Sequence, residues 1–275
     1  RLLKQPALKR LRGTLVAVPI VNVYGLIHHS RYLPDRRDLN RSFPGSEKGS
    51  LAARLAHMFM TEIVHNCSHG IDLHTGAIHR SNLPQIRANL DDPETARLAE
   101  AFGVPVLINA NIRDGSLRGA AAELGTPMLL YEAGEALRFD EVSIRAGVKG
   151  IIKVMRSLEM LPPTRSRRKI LHEPFVARSS TWVRASASGL FRKVYGLGSR
   201  VKRGDVLGLI DDAVGGEESE VIATASGIII GCSVIPLVHE SESLFHIARF
   251  EDINEVAGQV ENHLAANNAK FANVV

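Results

Sequence analysis

Asp38-Leu39-Asn40-Arg41-Ser42-Phe43-Pro44-Gly45 sets an amide beside a guanidinium and then turns at Pro-Gly. Arg presents a planar fork of donors that fits a carboxylate, and Asn adds another, so Asn40 and Arg41 form a candidate clamp for an acidic substrate group. The plain alternative is a solvated loop pair. Some thirty residues on, Asp72-Leu73-His74-Thr75-Gly76 puts a His at the end of an apolar run. A neutral imidazole is a good zinc ligand, and Asp72 is placed to orient it. A lone His is more often packed or solvated, so the position rests on its surroundings. A third group, Glu132, follows the apolar run Pro127–Tyr131. The clamp and the metal-type His together suggest a hydrolase for acidic substrates.

The elements that must carry these groups alternate. Thr14 to Val21 (TLVAVPIV) is β-branched and apolar and predicts a buried strand. Residues 1–12 look like an amphipathic helix, and Asn22 to Arg37 reads as a loop. Apolar residues at 51, 55, 58/59 and 62/63 fall on one helical face from Ser50 to about Asn66. Gly70 to His74 predicts a strand. Asp92-Pro93 starts a helix that stops at Gly103, and Val104 to Ile108 is a further strand. Ser116 caps a short helix ending at Gly125, Pro127 to Tyr131 is a strand, and a longer helix covers roughly Asp140 to Met160. Strands alternating with helices over 14–160 predict an α/β layer on a mainly parallel sheet, whose ligands bind at strand carboxyl ends. His74 and Glu132 both stand at such ends.

After that the chain changes character. Leu161 to His172 is Pro-rich and basic and reads as a linker. Residues 173–250 carry short β-branched runs and many glycines, an all-β signature. Within them Ala185-Ser186-Ala187-Ser188-Gly189-Leu190 repeats as Ala223-Thr224-Ala225-Ser226-Gly227-Ile228. Each copy is followed by an apolar closing strand, Val206–Ile210 and Ser243–Ile247. Two such halves predict a small β-sandwich with pseudo-twofold symmetry. The expected organisation is a catalytic α/β domain over 1–160, a linker over 161–172, a β domain over 173–250 and a helix or tail over 251–275.

The bulk numbers remove other classes. Basic residues exceed acidic ones by only five, and aromatics make up 5%, so there is little charge or stacking surface for nucleic acid. No apolar run reaches about 18 residues, so no membrane span is expected. The two cysteines, Cys67 and Cys232, are far apart and outside any CxxC pattern, which makes a reducing, cytoplasmic setting the default.

DLNRSFPG, then DLHTG, then an apolar strand ending in Glu132-Ala133-Gly134, resembles the succinylglutamate desuccinylase/aspartoacylase family of zinc hydrolases, related in fold to the zinc carboxypeptidases. Val18-Pro19 and Asn22-Val23-Tyr24-Gly25 match that family's approach to the clamp. The resemblance is close over about 13–160 and looser in the β domain. It implies a zinc-carboxypeptidase-like α/β fold with a C-terminal barrel-sandwich-like domain, and one zinc ion with His74 as a ligand. It also implies Glu132 as the general base, Arg31 as the group that polarises the scissile carbonyl, and Asn40 with Arg41 on the substrate carboxylate. Arg36 and Arg37 are the alternatives to Arg31, because the segment up to Asp38 is longer than in some members. Glu135 is the weaker acid, and Arg118 at a helix start faces either pocket or solvent. His65 and His69 have metal-pair spacing, but the expected helix ends between them. The family's other two zinc ligands come from a His-Gly-x-Glu-like element before the clamp. Nothing like it occurs here, so it would have to precede Arg1.

The β domain is also similar to biotinyl/lipoyl carriers through Val201-Lys202-Arg203-Gly204-Asp205-Val206-Leu207-Gly208. Its hairpin Ala213 to Ala223 holds no Lys for a carrier to modify, which leaves a cap over the site or a surface for homo-oligomer assembly. The expected activity is zinc-dependent hydrolysis of an N-acyl amino acid. The alternatives are a carboxypeptidase-type peptide hydrolase and a non-catalytic protein that binds acidic ligands.

Overall fold

The computed structural model describes residues 1–110, 114–163, 175–177, 179–212, 216, 218–250 and 253–268. The expected linker from residue 164 onward, part of the 213–223 hairpin and the tail past 268 lie outside them. The N-terminal stretch forms two 3-10 turns, Leu2–Lys4 and Pro6–Arg10, in place of one amphipathic helix. The expected strand over Thr14–Val21 is absent. No strand forms there, and Val16, Val18 and Ile20 stand 47%, 39% and 42% exposed. β-branched composition favours extended backbone, but a strand needs a partner to satisfy its polar groups. None of the described strands pairs with this segment. The Asn22–Arg37 loop holds a short helix, α1 (Val23–Ile27), capped by the Asn22 side chain.

Next come α2 (Leu51–Glu62), capped by Ser50, and the strands β1 (Gly70–Gly76) and β2 (Arg80–Ala88). They are followed by α3 (Pro93–Phe102), β3 (Val106–Asn109), α4 (Leu117–Glu123), β4 (Met128–Glu135) and α5 (Glu141–Ser157). Asp92, Ser116 and Asp140 each accept a backbone N–H at the start of their helix. β5 (Phe175–Ala177) joins β3, and β1–β4, β2–β3 and β3–β5 all pair in parallel, with β2–β4 antiparallel. Ile86, Phe102, Leu129, Tyr131 and Val154 fill the core between this sheet and α3 and α5. Gly150 lets α5 approach closely, since a Cβ there would fall 2.1 Å from the Phe102 ring.

Two matching halves make up the β part. The first is β6 (Ser179–Arg184), β7 (Gly189–Lys193), β8 (Arg200–Val201) and β9 (Val206–Asp211). The second is β10 (Glu218–Ile222), β11 (Gly227–Ser233), β12 (Leu237–Val238) and β13 (Ser243–Arg249). Each half lends its first strand to the closing strand of the other: β6 pairs β13, and β10 pairs β9. Their two-residue strands swap likewise, β8 onto β11 and β12 onto β7. Phe191, Leu207, Ile210, Ile229 and Phe245 pack between the layers. A last helix, α6 (Ile253–Asn268), packs on α5 and β11.

The large sheet does not stop at the boundary between these parts. β11 pairs antiparallel with β2, so one nine-stranded sheet runs β1-β4-β2-β11-β13-β6 along its main path. The strand that neighbours the catalytic candidates is thereby also a neighbour of the β domain.

Candidate active site

β1 and β4 are adjacent, parallel and in register, with His74 opposite Glu132. In a parallel pair, opposed residues point to the same face, so one register brings together the two groups that the sequence placed at strand ends. Both strands run slightly beyond these residues, to Gly76 and Glu135. Asp72, two residues before His74 on the same face, meets His74 Nε2 at 2.8 Å. Burial opposes a charge on the His74 ring. The Asp72 hydrogen bond and charge, with help from the Glu132 charge, outweigh it and hold the imidazole above its ordinary range, while the Arg31 charge opposes them.

Arg31 Nε donates to Asp38 Oδ2 at 2.9 Å. The other Asp38 oxygen accepts from Asn40 N at 2.9 Å. One carboxylate thus ties Arg31 to the start of the Leu39–Arg41 turn. Leu39 and Phe43 anchor that turn in a core shared with α2 and α4. Asn40 Oδ1 accepts from Leu117 N at 2.9 Å, which joins the turn to the first residue of α4. Arg41 is exposed and donates to the Asn40 carbonyl. Arg118 is buried rather than facing solvent. Glu135 is drawn elsewhere and accepts from His79 N at 3.2 Å. The His69 ring contacts Ser68 and Glu94.

Nothing in the residue pattern pointed to the groups around Glu132. Asn82 Nδ2 donates to Glu132 Oε1 at 3.0 Å. Arg87 Nε lies 2.6 Å from Glu132 Oε2, an ion pair whose N–H is not directed well enough for a hydrogen bond. Gln85, opposite Glu132 in register, is fully buried, and neither amide atom has a partner among the described residues. All three come from β2, a segment whose Pro84 argues against a strand interior. The register shifts between Asn82 and Gln85, where Pro84 falls, which lets the strand carry a proline.

A catalytic zinc needs about three protein donors and an open position. Among the described residues, no three His, Cys, Asp or Glu side chains form a group that could hold a metal ion. His74 fits as one donor: Asp72 engages Nε2, which leaves Nδ1 for a metal, the usual carboxylate–histidine arrangement. The described residues supply that one donor and not a complete set.

Residues 1–158 match the family model of the succinylglutamate desuccinylase/aspartoacylase catalytic domain. The chain belongs to that family. It is 27% identical over 214 residues to the N-alpha-acetyl-L-2,4-diaminobutyric acid deacetylase of Halomonas elongata, covering 74% of this chain and 62% of that relative, or about three-fifths of its length. The fold is shared with a succinylglutamate desuccinylase/aspartoacylase from Rhodobacter sphaeroides at TM-score 0.78 and 23% identity, over 88% of this chain and 77% of that one. It is shared equally with the product-bound ectoine utilization protein EutE (DoeB) from Ruegeria pomeroyi, at TM-score 0.79 and 22% identity over 88% and 76%. The family's mixed α/β fold, with a second β part at the C-terminal side, is thus the fold of this chain. No helix among the described residues is long and apolar enough to cross a membrane.

Proposed function

We propose that the protein hydrolyses the amide bond of an N-acyl amino acid, releasing the amino acid and a small carboxylic acid. The observation that carries this reading is the register of His74 against Glu132, with Asp72 behind the first and Asn82 and Arg87 behind the second. Membership of the family supports the reaction class, and the similarity to an N-acetyl amino acid deacetylase supports the substrate class.

In this reading Glu132 is the general base, taking the proton of the attacking water at its carboxylate and passing it to the leaving amine. Its two fixed contacts keep the carboxylate aimed at one place before substrate arrives. Arg31 donates to the oxyanion that develops on the acyl carbonyl, with Asp38 holding its guanidinium in position. Asn40 and Arg41 hold the substrate carboxylate, and their turn is braced by Leu39, Phe43 and the start of α4. We assign zinc as the cofactor and His74 Nδ1 as the donor that this chain offers it. When bound, such an ion acidifies water and polarises a carbonyl.

The test is substrate class. The zinc-supplemented protein is assayed on a panel of N-acetyl and N-succinyl amino acids and on dipeptides of matching side chains. Turnover confined to the N-acyl amino acids is expected. Preferential cleavage of the dipeptides would replace this reading with a carboxypeptidase.

A further inference from the structure

Gly231 lies on β11, in the β domain, directly opposite Asn82 of β2. A Cβ built at Gly231 would fall 2.7 Å from Asn82 Oδ1, inside any normal contact. Its other neighbours are the His246 Cβ at 3.3 Å and the Trp182 ring at 3.7 Å. These two stack on each other, centroids 4.4 Å apart and nearly parallel, so that side is a packed wall. The Asn82 amide is then the part free to give way. Asn82 is itself only 7% exposed, and its Nδ2 is the donor to Glu132 Oε1. Gly231 has no positive φ, so backbone conformation does not explain the glycine. The room that it leaves is occupied by the amide oxygen.

We propose that the β domain positions the general base: Gly231 of β11 makes the space in which the Asn82 amide sits, and that amide fixes the Glu132 carboxylate. Asn82 and Gly231 are positioning residues, and neither needs to touch substrate. The inference assigns the β domain a role inside the active site, separate from capping its mouth or joining copies of the chain. It rests on Glu132 being the base, so its test must also report on the carboxylate itself.

Four variants are compared with the parent protein: Gly231→Ala, Asn82→Ala, their combination, and the isosteric Asn82→Asp. One readout is the 13C resonance of the Glu132 carboxyl in Glu-labelled protein, assigned by its loss in Glu132→Gln. The other is kcat and KM on an N-acyl amino acid. The methyl of Gly231→Ala meets the end of a side chain, not backbone, so the variant is expected to fold. Both single alanine variants should shift the Glu132 resonance and lower kcat about tenfold, with KM little changed, the size expected for one hydrogen bond to a charged group. The double variant should be no worse than Asn82→Ala, because both act on one contact. Asn82→Asp keeps the volume but sets a second carboxylate against Glu132. It should cost more than Asn82→Ala and move the acid limb of the activity profile to higher pH. An unshifted resonance in Gly231→Ala, additive losses in the double variant, or an innocuous Asn82→Asp would each overturn the proposal. If the parent protein turned over no N-acyl amino acid, the functional reading would fail while the resonance still judged the positioning.

Discussion

β4 has two neighbours in the sheet, and they differ in kind. β1, on one side, is the last of the described strands on the main path of the sheet and carries Leu73 at 57% exposure, with His74 half-buried beside it. β2, on the other side, is buried along most of its length, yet it carries Asn82, Gln85 and Arg87. β1 sets His74 beside Glu132. β2 is buried from Asn82 to Ile86 and holds Glu132 from the inside. Among the described residues, Glu132 therefore has a more open flank at β1, which carries His74, and a closed flank at β2, which fixes the carboxylate. The closed flank is continuous with the β domain through β11, every residue of which is buried.

The division can be broken most severely at Arg87. It and Glu132 are each about one-fifth exposed, so removing the guanidinium leaves a largely buried carboxylate without its counter-charge. Arg87→Met is expected to cost about 3 kcal/mol in urea unfolding at neutral pH. A loss no larger than that of a typical surface ion pair would mean that β2 does not hold the base by charge.

A second way to sharpen the comparison lies one strand past β11. His246 on β13 is pushed down to about 3, by burial first and then by the nearby Arg87 charge. Its folded pKa lies below its unfolded one, so the unfolded chain takes up a proton first as the solution is acidified. Stability from this residue is complete above about pH 6.5 and declines as pH falls toward 3, by about 1.4 kcal/mol per pH unit. His246→Phe keeps a ring against Trp182 and removes the titration. The variant should lose less stability than the parent between pH 6 and pH 4, and an unchanged acid dependence would show that His246 is not buried uncharged.

Gln85 gives the smallest effect and one of opposite sign. Its two amide atoms are buried without partners among the described residues, and such a group is costly to keep. Gln85→Met is expected to raise stability by about 1 kcal/mol, read from the urea midpoint. A clear loss would show that the amide is satisfied in solution.

The open flank was the legible one. His74, Glu132, Asn40 and Arg41 stand beside apolar runs or turn residues, and the spacing of those runs gave the strands and helices that carry them. The repeat at Ala185 and Ala223 likewise announced the two halves that exchange strands. β2 was illegible because a buried polar strand with a proline has the composition of a loop; its partners, not its pattern, make it a strand. Thr14–Val21 failed in the opposite sense. It has the composition of a buried strand, but none of the described strands pairs with it, and it stays exposed. Both cases follow from one fact: strands are settled by what lies beside them in space, which local sequence does not state.

The most direct measurement is the turnover of an N-acyl amino acid by zinc-supplemented protein and by Glu132→Gln under the same conditions. Glutamine keeps the volume and removes the base. The account predicts that kcat falls by about a hundredfold or more while KM stays within a few-fold. Equal kcat values in the two proteins would contradict it.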